Sequence, residues 1–160
     1  MGLDMYLRKS AYVRTWKSTD TCVKDATRLD VHVRVAYDDG TVDQTDFTVN
    51  DPQSGLDVKL PIGYWRKANA IHRWFIQNCA NDEDDCREMS VSYDQLMELK
   101  RLCQQVLDDH DKAPELLPTQ EGFFFGSTEY DEYYFDDLKH TIEILNKVED
   151  GYWYEYQASW

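Results

Sequence analysis

The stretch YWRKANAIHRWFIQNC, residues 64–79, is where the chain's periodicity changes from strand-like to helical. Trp65, Ala68, Ile71, Phe75 and Cys79 recur every three or four residues, the spacing of one buried helix face. Arg66, Asn69 and Arg73 repeat on the opposite side. The spacing predicts a helix over 64–79 with a shared polar stripe.

Upstream the period is two. Residues 3–14 (LDMYLRKSAYVR) have the composition of a strand. In LDVHVRVAY, residues 29–37, Val31, Val33 and Val35 share one face and His32, Arg34 and Ala36 the other, which predicts a half-buried strand. Asp39-Gly40 supplies hairpin-turn chemistry, with residues 41–49 as the return strand. Residues 50–60, with Pro52 and Gly55, read as a loop ahead of Pro61 and Gly63.

Downstream the helical period persists. Ser92 and Gln95 form a capping-box signature for a helix over 92–109, with Leu96, Leu99, Cys103 and Val106 inward. Pro114–Pro118 is a connector, and Phe123–Gly126 reads as a short buried strand or turn. Thr128 with Asp131 is a second cap signature, for a helix over 129–148 burying Tyr134, Leu138, Thr141, Ile142, Leu145 and Val148. The tail 152–160 (YWYEYQASW) alternates aromatic and polar residues, as a final strand able to return to the first. The expected fold class is α+β: a small antiparallel sheet with about three helices packed on one face, in a single domain over 1–160.

The chain has 160 residues, 42% of them hydrophobic, and a formal net charge of −14. That length and apolar content can bury a real core. No apolar run is long enough for a membrane span or a signal peptide, so a cytoplasmic, non-membrane protein is expected. Cys22, Cys79, Cys86 and Cys103 show no zinc spacing, and reduced thiols are expected. The acidity disfavours direct nucleic-acid binding, which needs a broad basic surface. It does suit competition with nucleic acid for a basic protein partner.

The charge is segregated. Residues 5–19 and 58–81 contain no Asp or Glu, yet hold 8 of the 17 Lys and Arg residues. A local positive field inside a negative shell is what a small anionic ligand requires. Within 64–79, Arg66, Asn69, His72 and Arg73 could donate to phosphate, and Tyr64, Trp65 and Trp74 could stack on a base. Such a stretch serves equally as an amphipathic helix with a solvated basic face.

In LPTQEGFFFGSTEYDEYYFDD (117–137), Gly122 and Gly126 would let backbone amides approach a ligand. Gln120, Phe124, Ser127, Thr128 and Tyr130 are its candidate contacts. Glu129, Asp131 and Glu132 would occupy the helix dipole that follows, which favours a hydroxyl or ribose over phosphate there. The alternative is an aromatic core under a capped helix. No metal-ligand, Walker or nucleophile-elbow motif is present, so no cofactor, metal or catalytic residue is expected. A general acid-base pair of His72 with a carboxylate remains open.

Three strings, MGLDMYL (1–7), GYWRKANAIHRWF (63–75) and LLPTQEGFFFGSTEYDEYYFDDL (116–138), resemble a family of small uncharacterised bacteriophage proteins. They cover about a quarter of the chain. The resemblance implies a phage origin, carries no assigned activity, and makes an accessory role against host defences the natural expectation.

The leading expectation is therefore a non-enzymatic counter-defence protein that sequesters a nucleotide-like host immune signal in the host cytoplasm. The alternative is an acidic nucleic-acid mimic that inhibits a basic host protein such as a defence nuclease, using carboxylates of 82–85, 108–111 and 129–137. Self-association is open in either case.

Overall fold

The computed structural model describes residues 2–14, 28–50, 52 and 55–160. The chain divides into two compact units, Met1–Ala11 with Lys59–Trp160, and Tyr12–Val58. In chain order the elements are β1 (Asp4–Val13), β2 (Arg28–Ala36), β3 (Val42–Asn50), β4 (Leu56–Arg66), α1 (Asn69–Cys79), β5 (Met89–Val91), α2 (Tyr93–Asp108), α3 (Ala113–Leu116), α4 (Glu132–Leu145) and β6 (Trp153–Ser159). A 3-10 turn at His110–Lys112 leads into α3. The fold class is α+β, with antiparallel sheets.

The larger unit is built on a sheet of order β4-β1-β6-β5. β6 returns antiparallel to β1, from Asp4↔Ser159 to Ser10↔Trp153, as the alternating tail predicts. Leu3, Met5 and Leu7 along β1 and Tyr154, Tyr156 and Ala158 on β6 point into one core. α2 presents Leu96, Leu99, Cys103 and Val106 to it, the stripe read from the sequence. Ser92 and Gln95 close the capping box. The polar side of the sheet is laced by ion pairs: Arg8 to Glu88 at 3.0 Å, and Lys59 to Glu88 at 2.7 Å and Glu155 at 2.8 Å.

Several expectations are corrected or narrowed. Residues 56–60 are not loop but the start of β4. Pro61 and Gly63 argue against a strand, yet β4 lies at the sheet edge, where a proline costs no ladder bond on its open side. The helix expected over 64–79 begins only at Asn69, and Tyr64, Trp65 and Arg66 are strand residues. Lys67, at φ 63, breaks the chain between the two. The misreading has a simple cause: one inward strand residue, Trp65, sits where a helix would place its first inward residue. The second cap is Asp131 alone, whose carboxylate accepts from the Tyr134 amide at 3.1 Å, and α4 spans Glu132–Leu145, with Ile144 rather than Ile142 fully buried. Of the two readings of Phe123–Gly126 the turn holds, but it is not buried throughout: Phe125 is buried, whereas Phe123 is 94% exposed.

The smaller unit contains the β2–β3 hairpin, paired from Arg28↔Asn50 to Ala36↔Val42 around the expected turn. Val33 and Val35 are exposed, so their face is less buried than the alternation predicts.

Candidate functional site

The site starts from a kink. β4 ends at Arg66, and the backbone turns through Lys67 in a left-handed conformation, which costs a non-glycine residue about 1–2 kcal/mol. Two hydrogen bonds hold it there: the Lys67 amide donates to the Leu3 carbonyl at 2.8 Å, and the Lys67 carbonyl accepts from the Asn69 amide at 2.8 Å. The kink turns Arg66 and Lys67 toward the start of α1.

Asn69, buried at that start, ties down the 119–128 segment. Its amide nitrogen donates to the carbonyls of Phe125 (3.1 Å) and Ser127 (2.8 Å), and its amide oxygen accepts from the Gln120 backbone at 3.0 Å. Arg73 adds a bond to the Thr119 carbonyl at 3.1 Å, and the Thr119 hydroxyl donates to the Thr128 carbonyl at 3.0 Å. Gly126, at φ 91, lies against Lys67, where an added Cβ would come within 3.2 Å of the lysine Cβ. A side chain there would strain the backbone and crowd the kink.

Between this segment, the kink and α4 lies a cavity of about 490 Å³. Arg66 and Lys67 line it, with Asn69, Gly126, Ser127, Glu129, Asp131, Tyr133, Tyr134, Asp136 and Asp137 among the other walls. Its size is ordinary for a small-molecule site. Of the basic residues in the acid-free islands, Arg8 and Lys59 serve the sheet network, Lys9 pairs with Glu149, and Arg73 holds Thr119. The side chains of Arg66 and Lys67 make no hydrogen bond or ion pair among the described residues. Arg14 belongs to the Tyr12–Val58 unit, and Lys17 lies outside the described residues. α1 carries no acid in its first turn, so its positive dipole end beside the cavity is uncompensated. The anion-friendly terminus is thus α1's, whereas α4's is filled by Asp131 and Glu132.

The remaining sequence candidates divide. Ser127 lines the cavity, with its hydroxyl accepting from the Glu129 amide. Thr128 and Tyr130 flank it through Thr119 and Tyr134. Gln120 lines a separate shallow depression together with Arg73, Asp82 and Asp84, so Arg66 and Arg73 do not share one pocket. Phe124 packs edge-on against Phe123. Tyr64 is exposed on β4 and donates to Asp4. Trp65 is core, with its indole N–H donating to Thr141 at 2.8 Å.

His72 is also core. A carboxylate can only accept, so Nε2 carries the proton toward Asp84 at 3.0 Å, and Nδ1 accepts from the Tyr156 hydroxyl at 2.8 Å. The histidine–carboxylate pair left open by the sequence therefore exists, with both ring nitrogens engaged. Burial pushes the His72 pKa down, against the opposing pull of Asp84. Burial likewise raises the Cys79 thiol to about 12, which keeps it protonated and unreactive.

The sequence reading missed Lys67, Tyr133 and Asp137. Lys67 was legible as part of the Arg66-Lys67 pair, but an unbroken helix would have turned it off the stripe. Burial pushes the Asp137 carboxyl up to about 6. No group of His, Cys, Asp and Glu suited to a metal ion occurs among the described residues. No described helix is long and apolar enough to cross a membrane. Comparison with protein-family models, curated proteins and solved structures found no match.

Proposed function

We propose that the protein is a non-enzymatic phage accessory protein that captures a small nucleotide-like anion, a host immune signal, in this cavity. The observation that carries the reading is the pair Arg66–Lys67. Two cations with no partner among the described residues open into a cavity beside an uncompensated helix N-terminus. One of them is held there at a cost in backbone strain. The acids on the α4 side leave room for hydroxyl and amine donors at the other end of the same ligand.

The nucleic-acid-mimic alternative draws less support. Glu83 and Asp85 pair with Arg87, and Asp84 is taken by His72 and Trp160. These carboxylates do not form a bare phosphate-like row.

The test is to incubate the purified protein with nucleotide extract from infected cells, denature it, and identify what is released by mass spectrometry. An intact nucleotide is expected, absent from the Arg66→Ala/Lys67→Ala protein. A chemically converted nucleotide would instead mean an enzyme, and release of nothing from either protein would end the reading.

A further inference from the structure

Four carboxylates share the cavity with Arg66 and Lys67. Three of them have other work or are freely hydrated. Asp131 caps α4 through the Tyr134 amide. Asp136 accepts from the Lys139 ammonium at 2.7 Å. Glu129 is exposed.

Asp137 differs. It is half-buried, three residues beyond Tyr134 and so on the same face of α4, and its carboxyl makes no hydrogen bond or ion pair among the described residues. The neighbouring His140 bonds instead to the Tyr64 carbonyl at 2.9 Å. A half-buried carboxylate without protein donors is partly desolvated, and its two oxygens, still open to the cavity, can take their donors from a ligand.

Taking the nucleotide reading of the cavity as its basis, we propose that the ligand is a guanine nucleotide, with phosphate at Arg66 and Lys67 and base read by the carboxylate of Asp137. The chemistry is one of paired donors. A carboxylate is acceptor-only and offers two oxygens in one plane. Guanine presents two adjacent N–H donors, N1–H and the 2-amino group, on its pairing edge. Adenine and cytosine set a donor beside an acceptor, and uracil sets one donor between two acceptors. An acceptor facing Asp137 leaves lone pairs opposed, so the site rejects those bases as well as favouring guanine. Tyr133, 81% exposed on the cavity wall, offers a ring on which the base can stack.

The proposal also fixes a pH dependence. The groups facing Asp137 are Asp131 at the N-cap of α4, Asp136 and His140 on α4, Glu129 ahead of it, and Arg66 and Lys67 across the cavity. Protonation of Asp137 removes one acceptor, so guanine affinity falls as pH drops through about 6. Guanosine 3′,5′-cyclic monophosphate is the suitable probe, because its phosphodiester keeps a single charge over that range.

Calorimetry of the full chain at pH 7.5 with GMP, AMP, CMP and UMP tests this directly. We expect GMP to bind about 10- to 100-fold more tightly than the others, the effect of leaving one buried donor or acceptor unpaired. Asp137→Asn should weaken GMP and strengthen AMP until the two bind within a few-fold of each other, because the amide offers adenine one donor and one acceptor. Arg66→Ala should weaken all four nucleotides alike. The cyclic probe should bind wild type more weakly at pH 5 than at pH 7.5, and bind Asp137→Asn equally at both. Nucleotides bound without guanine preference, or a preference that survives Asp137→Asn, would overturn the guanine assignment and leave the nucleotide reading standing. Binding of no nucleotide would remove both.

Discussion

Two titratable residues, the buried His72 and the half-buried Asp137, pull the stability of this protein in opposite directions with pH. His72 is held neutral between Asp84 and Tyr156, with its pKa pushed down by burial. The unfolded chain therefore takes up its proton first, and the stability His72 contributes is full above about pH 6.5 and lost as pH falls below it. Asp137 has the reverse sign. Its folded pKa of about 6 lies above the unfolded value of 3.8, so its contribution is present below pH 3.8 and lost as pH rises through 6. Asp137→Asn should then raise the melting temperature at pH 7.5 by about 2–4 °C, what roughly 1 kcal/mol gives a chain of this size. That gain should vanish near pH 4. A variant that gains stability while losing guanine selectivity marks a group kept for binding. At Trp65 the expectation is plain loss: Trp65→Ala empties a core site and removes the indole donor to Thr141, whose hydroxyl keeps its bond to the Asp137 carbonyl, at about 3–5 kcal/mol in urea unfolding.

At the scale of elements, the segment 119–128 has little regular structure, and its shape depends on α1. Asn69 supplies three hydrogen bonds to it and Arg73 one. Asn69→Leu should leave helix content unchanged but expose this segment to limited proteolysis near Phe123, with ligand affinity lost. If the segment stays protected, it is held by its aromatics and not by Asn69. Arg73→Ala should have a smaller effect of the same kind, because Arg73 acts on the segment and not on the cavity. The caps behave independently of the site: Ser92→Ala should cost about 1 kcal/mol with binding intact.

At the scale of the molecule, every residue of the buried hydrophobic cluster found among the described residues belongs to the unit formed by Met1–Ala11 and Lys59–Trp160. The cavity is lined by that unit alone. An added Cβ on Gly55 would come within 2.6 Å of the Val13 carbonyl, so the ends of β1 and β4 lie side by side there. Replacing residues 14–54 by a short Gly-Asn turn should therefore leave a folded protein with an intact cavity. Circular dichroism and the same calorimetric titration check this. A shortened chain that is helical but no longer binds would assign the smaller unit a part in the site.

The sequence by itself determined the elements whose signals are local. The capping box and four-residue stripe of α2, the hairpin turn at Asp39-Gly40 and the alternating β6 are each set by side chains within a few positions of one another. It also located the acid-free stretch that supplies Arg66, Lys67 and Asn69. Only the tertiary structure decided what that stretch becomes. β4 tolerates Pro61 because of its edge position, and the left-handed Lys67 is held by Leu3, a residue more than sixty positions away. The same holds for the site. Which cations are left without partners depends on Glu88, Glu149 and Glu155, and which carboxylate lacks a donor depends on how α4 lies over the kink. Burial and pairing belong to residues brought together by folding, so spacing along the chain cannot report them.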